Sequence, residues 1–397
     1  MATKAAAETQ EPSIAICGHI AVDIIPEFPH AATAAIGSLL TPGNLVEVGA
    51  AAIATGGAVS NTGVALHRLG ANVKLIGKVG DDVFGEMTVS TLERIDQGLA
   101  SGLIRANQEV SSYTLVISPP GTDRIFLHCP GANDTFTDED VPYGALEGIE
   151  HFHFGYPPLM KRMIDDGGVR LERMLSRIKG MGISTSLDMA LPGAGTVAYG
   201  LDWVRILEKA LPHVDLFMPS LEEALLMTDQ PAYEDLLRTF GKAELCERTP
   251  IATIRNLAER LLAFGCGTVV LKIGSSGLYA RSRERELWAP CFKANLVGTT
   301  GAGDSTIAGY LYGMRRGLSL ERTMTAAVAV GAFSVEAAEA TAGIAAWDDV
   351  WSRVERGWER LSVPQDLEGW AWNGDEGIWH GPADCRTNKT TYGGLHT

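Results

Sequence analysis

The stretch Thr299-Thr300-Gly301-Ala302-Gly303-Asp304 sets three small residues and an acid at the start of a pattern in which Ile307, Leu311 and Met314 recur at helical spacing. The amides of Gly301, Ala302 and Gly303 then lie at a helix N-terminus, without intrahelical acceptors and where the macrodipole favours negative charge. Asp304, in the same turn, would repel a bound phosphate unless it serves as a base. Phosphoryl transfer needs that pair: donors for the charge on the transferring group, and a base for the proton of the attacking hydroxyl. A plain capping acid is the simpler alternative for Asp304.

A second glycine-rich element, Gly56-Gly57-Ala58-Val59-Ser60-Asn61, precedes another helical pattern. Two adjacent glycines let a ligand approach the backbone, and Asn61 can reach back to it. Taken alone, the stretch reads equally as a tight turn with Asn61 opening a helix. The two elements stand at opposite ends of one region, about Ser13 to Ala346, with further landmarks in order between them. Together they resemble the ribokinase-like (PfkB) carbohydrate kinases.

The resemblance implies an α/β fold, a doubly wound and mostly parallel sheet flanked by helices, with a small β lid. It implies Asp304 as general base and the Gly301, Ala302 and Gly303 amides as an anion hole. Asp23, in Gly18-His19-Ile20-Ala21-Val22-Asp23, matches an acid that accepts hydrogen bonds from two sugar hydroxyls; Gly56, Gly57 and Asn61 would hold further hydroxyls. Ser220-Leu221-Glu222-Glu223 resembles an Asn-x-x-Glu element, in which Glu223 would act on Mg2+ through water and Ser220 stands in place of asparagine. Lys272, Gly274, Ser275 and Gly277 match the turn bordering the nucleotide. ATP and Mg2+ are the implied cofactors. Two departures qualify the match: Gly298 replaces an aspartate associated with a monovalent cation, which puts potassium activation in doubt, and Ala58 replaces the lysine of ribokinases proper.

Bulk composition narrows the partners. The 397 residues are 46% hydrophobic and 20% charged, with 33 basic against 48 acidic residues and a net charge of −15. Such a surface excludes nucleic acid and anionic membrane as general partners. The six cysteines show no CxxC spacing, as in a reducing compartment. Residues 1–11 read as a flexible tail without a signal peptide, and the uncharged run Thr323 to Val335 is too short to span a bilayer. A cytoplasmic location is expected.

Strand-like and helix-like segments alternate, as in a parallel sheet covered on both faces. Ser13–Gly18, His151–Gly155, Ile183–Asp188, Val214–Met218 and Thr268–Gly274 read as inner strands, and Val169–Lys179 and Ile254–Phe264 as helices. Within a kinase domain over 12–345, segments 27–55 and 105–130 break this rhythm; the resemblance places a lid there. The remainder, 346–397, holds six of the eight tryptophans. Trp347, Trp351, Val354, Trp358 and Leu361 follow the stripe of one amphipathic helix, and the chain after Pro364 reads as a polar tail. Packing on the domain is the preferred reading of the stripe, with a partner surface or homodimer contact as the alternative. The expected activity is ATP-dependent phosphorylation of a primary hydroxyl on a sugar or sugar-like molecule. The alternatives are an adenosine-type nucleoside kinase and a ligand-binding regulator that has lost the chemistry.

Overall fold

A computed structural model describes residues 13–28, 41–119 and 125–386. Its main sheet has ten strands. Six run parallel, in the order β4 (Asn72–Ile76), β1 (Ser13–Gly18), β9 (His151–Gly155), β10 (Ser184–Leu187), β11 (Leu216–Phe217) and β12 (Thr268–Lys272). Four antiparallel strands extend it: β13 (Leu278–Ser282), β14 (Glu286–Ala289), β16 (Ile378–His380) and β15 (Ala371–Asn373).

The alternation along β1 shows why the sheet is covered on both sides. Ile14 and Ile16 point into one buried cluster and Ala15 and Cys17 into another. A strand buried on both faces needs helices above and below it, which crossover connections supply. Helices Val169–Gly180, Trp203–Ala210, Leu221–Thr228 and Ile251–Ala263 cover the face of Ala15 and Cys17. Gly57–Leu69, Ala302–Arg315 and Leu320–Ser334 cover the face of Ile14 and Ile16.

A separate four-stranded sheet, β3 (Ala51–Gly56), β2 (Ala21–Pro26), β7 (Tyr113–Ile117) and β8 (Ile125–Cys129), lies beyond the carboxyl end of β1. The segments 27–55 and 105–130 therefore meet in one sheet, within the described residues. Its central strand β2 lies outside both, so Asp23 belongs to this small sheet and not to a loop of the large one.

The C-terminal region departs most from the sequence reading. Its helix spans Trp347–Glu355 and ends in a turn with Gly357 at φ 84°. Trp358 thus leaves the stripe and stacks on Phe292, with ring centroids 4.7 Å apart, while its Nε1 donates to Lys293 O at 2.7 Å. Residues 365–386 are no loose tail: they supply β15 and β16, and Trp370 packs against Tyr279 and Trp288; the rest of the expected tail lies outside the described residues. Period-3.6 patterning does not register strands three residues long that pair across the chain.

Candidate active site

The strands β1, β9, β10 and β12 deliver polar residues at their carboxyl ends, the edge where open α/β sheets bind ligands. His19 follows β1, Tyr156 follows β9 and Asp188 follows β10. Lys272 closes β12 and pairs in a parallel bridge with Ser220.

Asp304 lies in the first turn of Ala302–Arg315, whose N-cap Gly301 sits at φ 72°. A Cβ at Gly301 would come within 2.6 Å of the Ala340 Cβ, so the turn needs glycine twice over. The Asp304 carboxylate is buried and accepts from three side chains. Asn61 Nδ2 donates to Oδ2 at 3.0 Å, Thr62 Oγ1 to Oδ1 at 3.4 Å, and Tyr156 OH reaches both oxygens at 2.8 Å. Burial lifts the Asp304 pKa above its ordinary value despite these donors, and pushes the Tyr156 phenol well above its own. Tyr156 therefore stays a neutral donor. It adopts φ 65°, a left-handed conformation uncommon outside glycine, which turns its ring toward Asp304. Among the three helix-start amides, that of Ala302 already donates to Thr299 O at 3.3 Å.

Lys272 lies beside this turn: a Cβ on Gly303 would sit 3.9 Å from its Nζ. Its ammonium binds Asp188 Oδ1 at 2.5 Å. Burial raises the pKa of Asp188, the opposing Lys272 charge notwithstanding. It raises that of Glu223 as well. Asp188, Glu223 and Asp304 thus face a single ammonium, an electrostatic debt that a cation would relieve. Hard carboxylate oxygens suit Mg2+. Glu223 itself turns back to accept from Ser220 N at 2.7 Å, while Ser220 Oγ accepts from Glu223 N, a reciprocal capping box.

Asp23 faces the glycine pair. A Cβ at Gly56 would lie 2.3 Å from Asp23 Oδ2 on the paired strand, and one at Gly57 2.5 Å from His19 Nδ1 in the loop after β1, so both positions require glycine. Burial raises the Asp23 pKa to about 6. Thr114, which lowers it through a hydrogen bond, also contacts His128 Nδ1 at 3.1 Å, and His128 meets His19 at 3.3 Å. Both histidines are held neutral by desolvation, the His19 pKa falling to about 3. A cavity of about 370 Å3 opens between the small sheet and the glycine turn, lined by Asp23, Thr55, Val116, Phe126, Gly298 and Thr300.

The fold thus gathers Asp304, Asn61, Lys272, Ser220 and Glu223, packs Gly56 against Asp23 and Gly57 against His19, and puts Asp23 on the cavity wall. Two residues of the turn expected at the nucleotide also have contacts within the protein. Ser275 Oγ donates to Glu247 Oε1 at 2.6 Å. Gly277, at φ 107°, is required because a Cβ would strike Ala289 O at 2.1 Å, a packing reason within the sheet. Gly274 also has positive φ, 49°. Sequence reasoning assigned no role to Asp188, Thr62, His19 or His128. For Asp188 the signal was available, an acid at the end of a parallel strand; the others depend on long-range contacts.

Relatives share this arrangement of elements. The pfkB family carbohydrate kinase model matches residues 14–347. An uncharacterized sugar kinase of Archaeoglobus fulgidus is 25% identical over 256 residues, covering 64% of this chain and 88% of its own. The aminoimidazole riboside kinase of Salmonella typhimurium is 24% identical over 290 residues, with 71% and 82% covered. The ribokinase structure from Thermotoga maritima superposes with a TM-score of 0.65 at 19% identity, covering 87% of this chain and 99% of that one. The chain belongs to the pfkB family of carbohydrate kinases and is a phosphotransferase.

Proposed function

We propose that this kinase transfers the γ-phosphoryl group of ATP to a primary hydroxyl of a sugar or sugar-like molecule, with Asp304 as general base. The observation that carries the reading is the buried Asp304 carboxylate at a helix N-terminus, with its pKa raised and the Lys272 ammonium beside the same turn. A raised pKa strengthens the carboxylate as a base once it is ionised. Gly301, Gly303 and, once its contact to Thr299 opens, Ala302 would turn their amides to the transferring group. Asp23 and Asn61 would orient the acceptor; Asn61 Oδ1 is buried without a protein partner, an acceptor available to a hydroxyl.

Lys272, Gly274, Ser275 and Gly277 would border the nucleotide. Asp188 and Glu223 would hold Mg2+ through water, its charge offsetting that of the phosphates. At 298 a side chain would press within 2.9 Å of Ala337 O, so the position cannot supply a carboxylate to a monovalent cation without backbone movement. The small sheet would act as a lid that excludes water, the competing acceptor. We take 12–345 as the kinase domain and treat 346–386 as an extension built onto its sheet. A homodimer and a cytoplasmic location remain part of the proposal.

A nucleoside acceptor is the second reading, and one observation favours it. Besides Asp23, the cavity wall carries Ile25, Val116, Phe126, Leu296 and Val297, an apolar surface suited to a heterocycle attached to the sugar. ATP consumption against a panel of free sugars and nucleosides tests both. Turnover with a sugar or a nucleoside selects between the readings; phosphorylation of neither class by the folded protein would overturn the proposal.

A further inference from the structure

At the opposite end of the helical hairpin from Asp304, three side chains converge without any role in phosphoryl transfer. Glu321 stands at the start of Leu320–Ser334, a helix that packs along Ala302–Arg315. Glu376 and His380 come from the C-terminal hairpin of β15 and β16. One oxygen from each glutamate and one ring nitrogen of His380 lie within 4.8 Å of one another.

The bonding within the cluster is incomplete in a specific way. His380 is 7% exposed, yet neither ring nitrogen has a hydrogen-bond partner, and the nearest acid, Asp384 Oδ2, is 3.7 Å from Nδ1. Glu321 is fully buried; its Oε1 accepts from Arg285 and, at 2.7 Å, from Arg386, while its Oε2 accepts from nothing. Buried polar atoms left unpaired are costly and uncommon in folded proteins. Here the unpaired atoms on two chain segments belong to the one cluster.

We propose that Glu321, Glu376 and His380 bind a divalent transition-metal ion, zinc by the character of the donors, which fastens the C-terminal hairpin to the kinase body. Imidazole nitrogen and carboxylate oxygen are both zinc ligands, and water would complete a four-coordinate set. Donors about 2.1 Å from a tetrahedral metal stand roughly 3.4 Å apart, so rotation of the glutamate side chains closes the cluster. The surroundings orient it: Arg285 and Arg386 hold Glu321, and Asn373 Nδ2 donates to Glu376 Oε2 at 3.0 Å. Three carboxylates and three arginines surround the cluster, so the case for a metal rests on the unpaired donor atoms. Glu321, Glu376 and Asp384 oppose Arg285 and Arg386. Arg360 approaches from the other side, where it donates to Thr325 Oγ1 at 2.9 Å.

The test is zinc uptake by the full chain, stripped with chelator, reloaded with zinc chloride and freed of excess metal by gel filtration, read by elemental analysis and by melting temperature. Wild type is expected to retain one equivalent of zinc and to melt higher with zinc than without it. His380→Gln and Glu376→Gln should weaken zinc binding by about 10- to 100-fold or more, the scale on which even outer-shell changes act. Both should melt near metal-free wild type and keep turnover within a few-fold. Asp304→Asn, at the other end of the hairpin, should retain the zinc. Failure of wild type to bind zinc, or binding by His380→Gln and Glu376→Gln as tight as in wild type, overturns the proposal. Should one variant not fold, the other and the wild-type uptake decide it.

Discussion

The chemistry proposed for Asp304 depends on its three donors as much as on its position. Asn61, Thr62 and Tyr156 fix the carboxylate, and burial raises its pKa. Asp304→Asn keeps the shape and removes the base, so kcat should fall by roughly 100-fold or more while ATP binding persists. Turnover within a few-fold of wild type would exclude Asp304 from the mechanism. Because a base works ionised, kcat/KM of wild type should rise with pH through a limb whose midpoint lies above 3.8, the ordinary value for aspartate. Asp23 gives a separate signature. Its pKa is raised to about 6, so its carboxylate gains a proton as pH falls through that value and loses capacity to accept from hydroxyls. KM for the acceptor should therefore climb as pH falls from about 7 to about 5, on either side of the pKa of about 6, and Asp23→Asn should flatten that climb.

Two turns set the elements around the cavity. Gly57 opens the helix Gly57–Leu69 at φ 85° with His19 O 2.6 Å from where a Cβ would sit. Gly57→Ala combines an unfavourable backbone conformation with an overlap against main chain. A cost of about 1–3 kcal/mol is expected, seen as a lower melting temperature together with a raised acceptor KM. An unchanged melting temperature would show that the strand and helix tolerate wider separation. The turn at Gly298 bears on ions. With Ala337 O and Ala338 O crowding that position at 2.9 and 3.1 Å, exchange of potassium for a bulky inert cation at constant ionic strength should change turnover little. Strong potassium activation would mean that other groups build such a site.

The whole molecule is larger than its kinase landmarks. Residues 371–380 lengthen the main sheet, Trp370 fills a corner against Tyr279 and Trp288, and buried Asp384 holds Arg285 and the Glu286 amide. Removal of residues from Pro364 onward would expose β14 and leave Arg285 and Glu321 without part of their network. Burial of one large aromatic contributes roughly 2–3 kcal/mol, against a typical domain stability of about 5–15 kcal/mol. The truncation should therefore lower the melting temperature markedly, although Asp304, Asn61 and Glu223 all lie upstream. Deletion from Trp347 should be worse, since Trp347, stacked on Trp351, also covers Tyr312. A short truncation that melts like the full chain would show the added strands to be ornamental.

Local sequence determined the parts of this protein that are governed by short-range rules. The glycine turn before Asp304, the helix behind it, the glycine pair before Asn61 and the inner strands from β1 to β12 follow from backbone freedom, helix-end electrostatics and hydrophobic periodicity. These act over a few residues and are written in order along the chain. Tertiary structure alone decided which distant groups share a charge or a proton. Tyr156 reaches Asp304 across 148 positions and Lys272 meets Asp188 across 84. The shifted pKa values exist because folding removes water from all of them together. The same holds at the far edge, where β15 and β16 are too short to show a period and form by pairing with each other and, through β16, with β14. Glu321, Glu376 and His380 become neighbours only once that pairing brings the end of the chain back to the sheet.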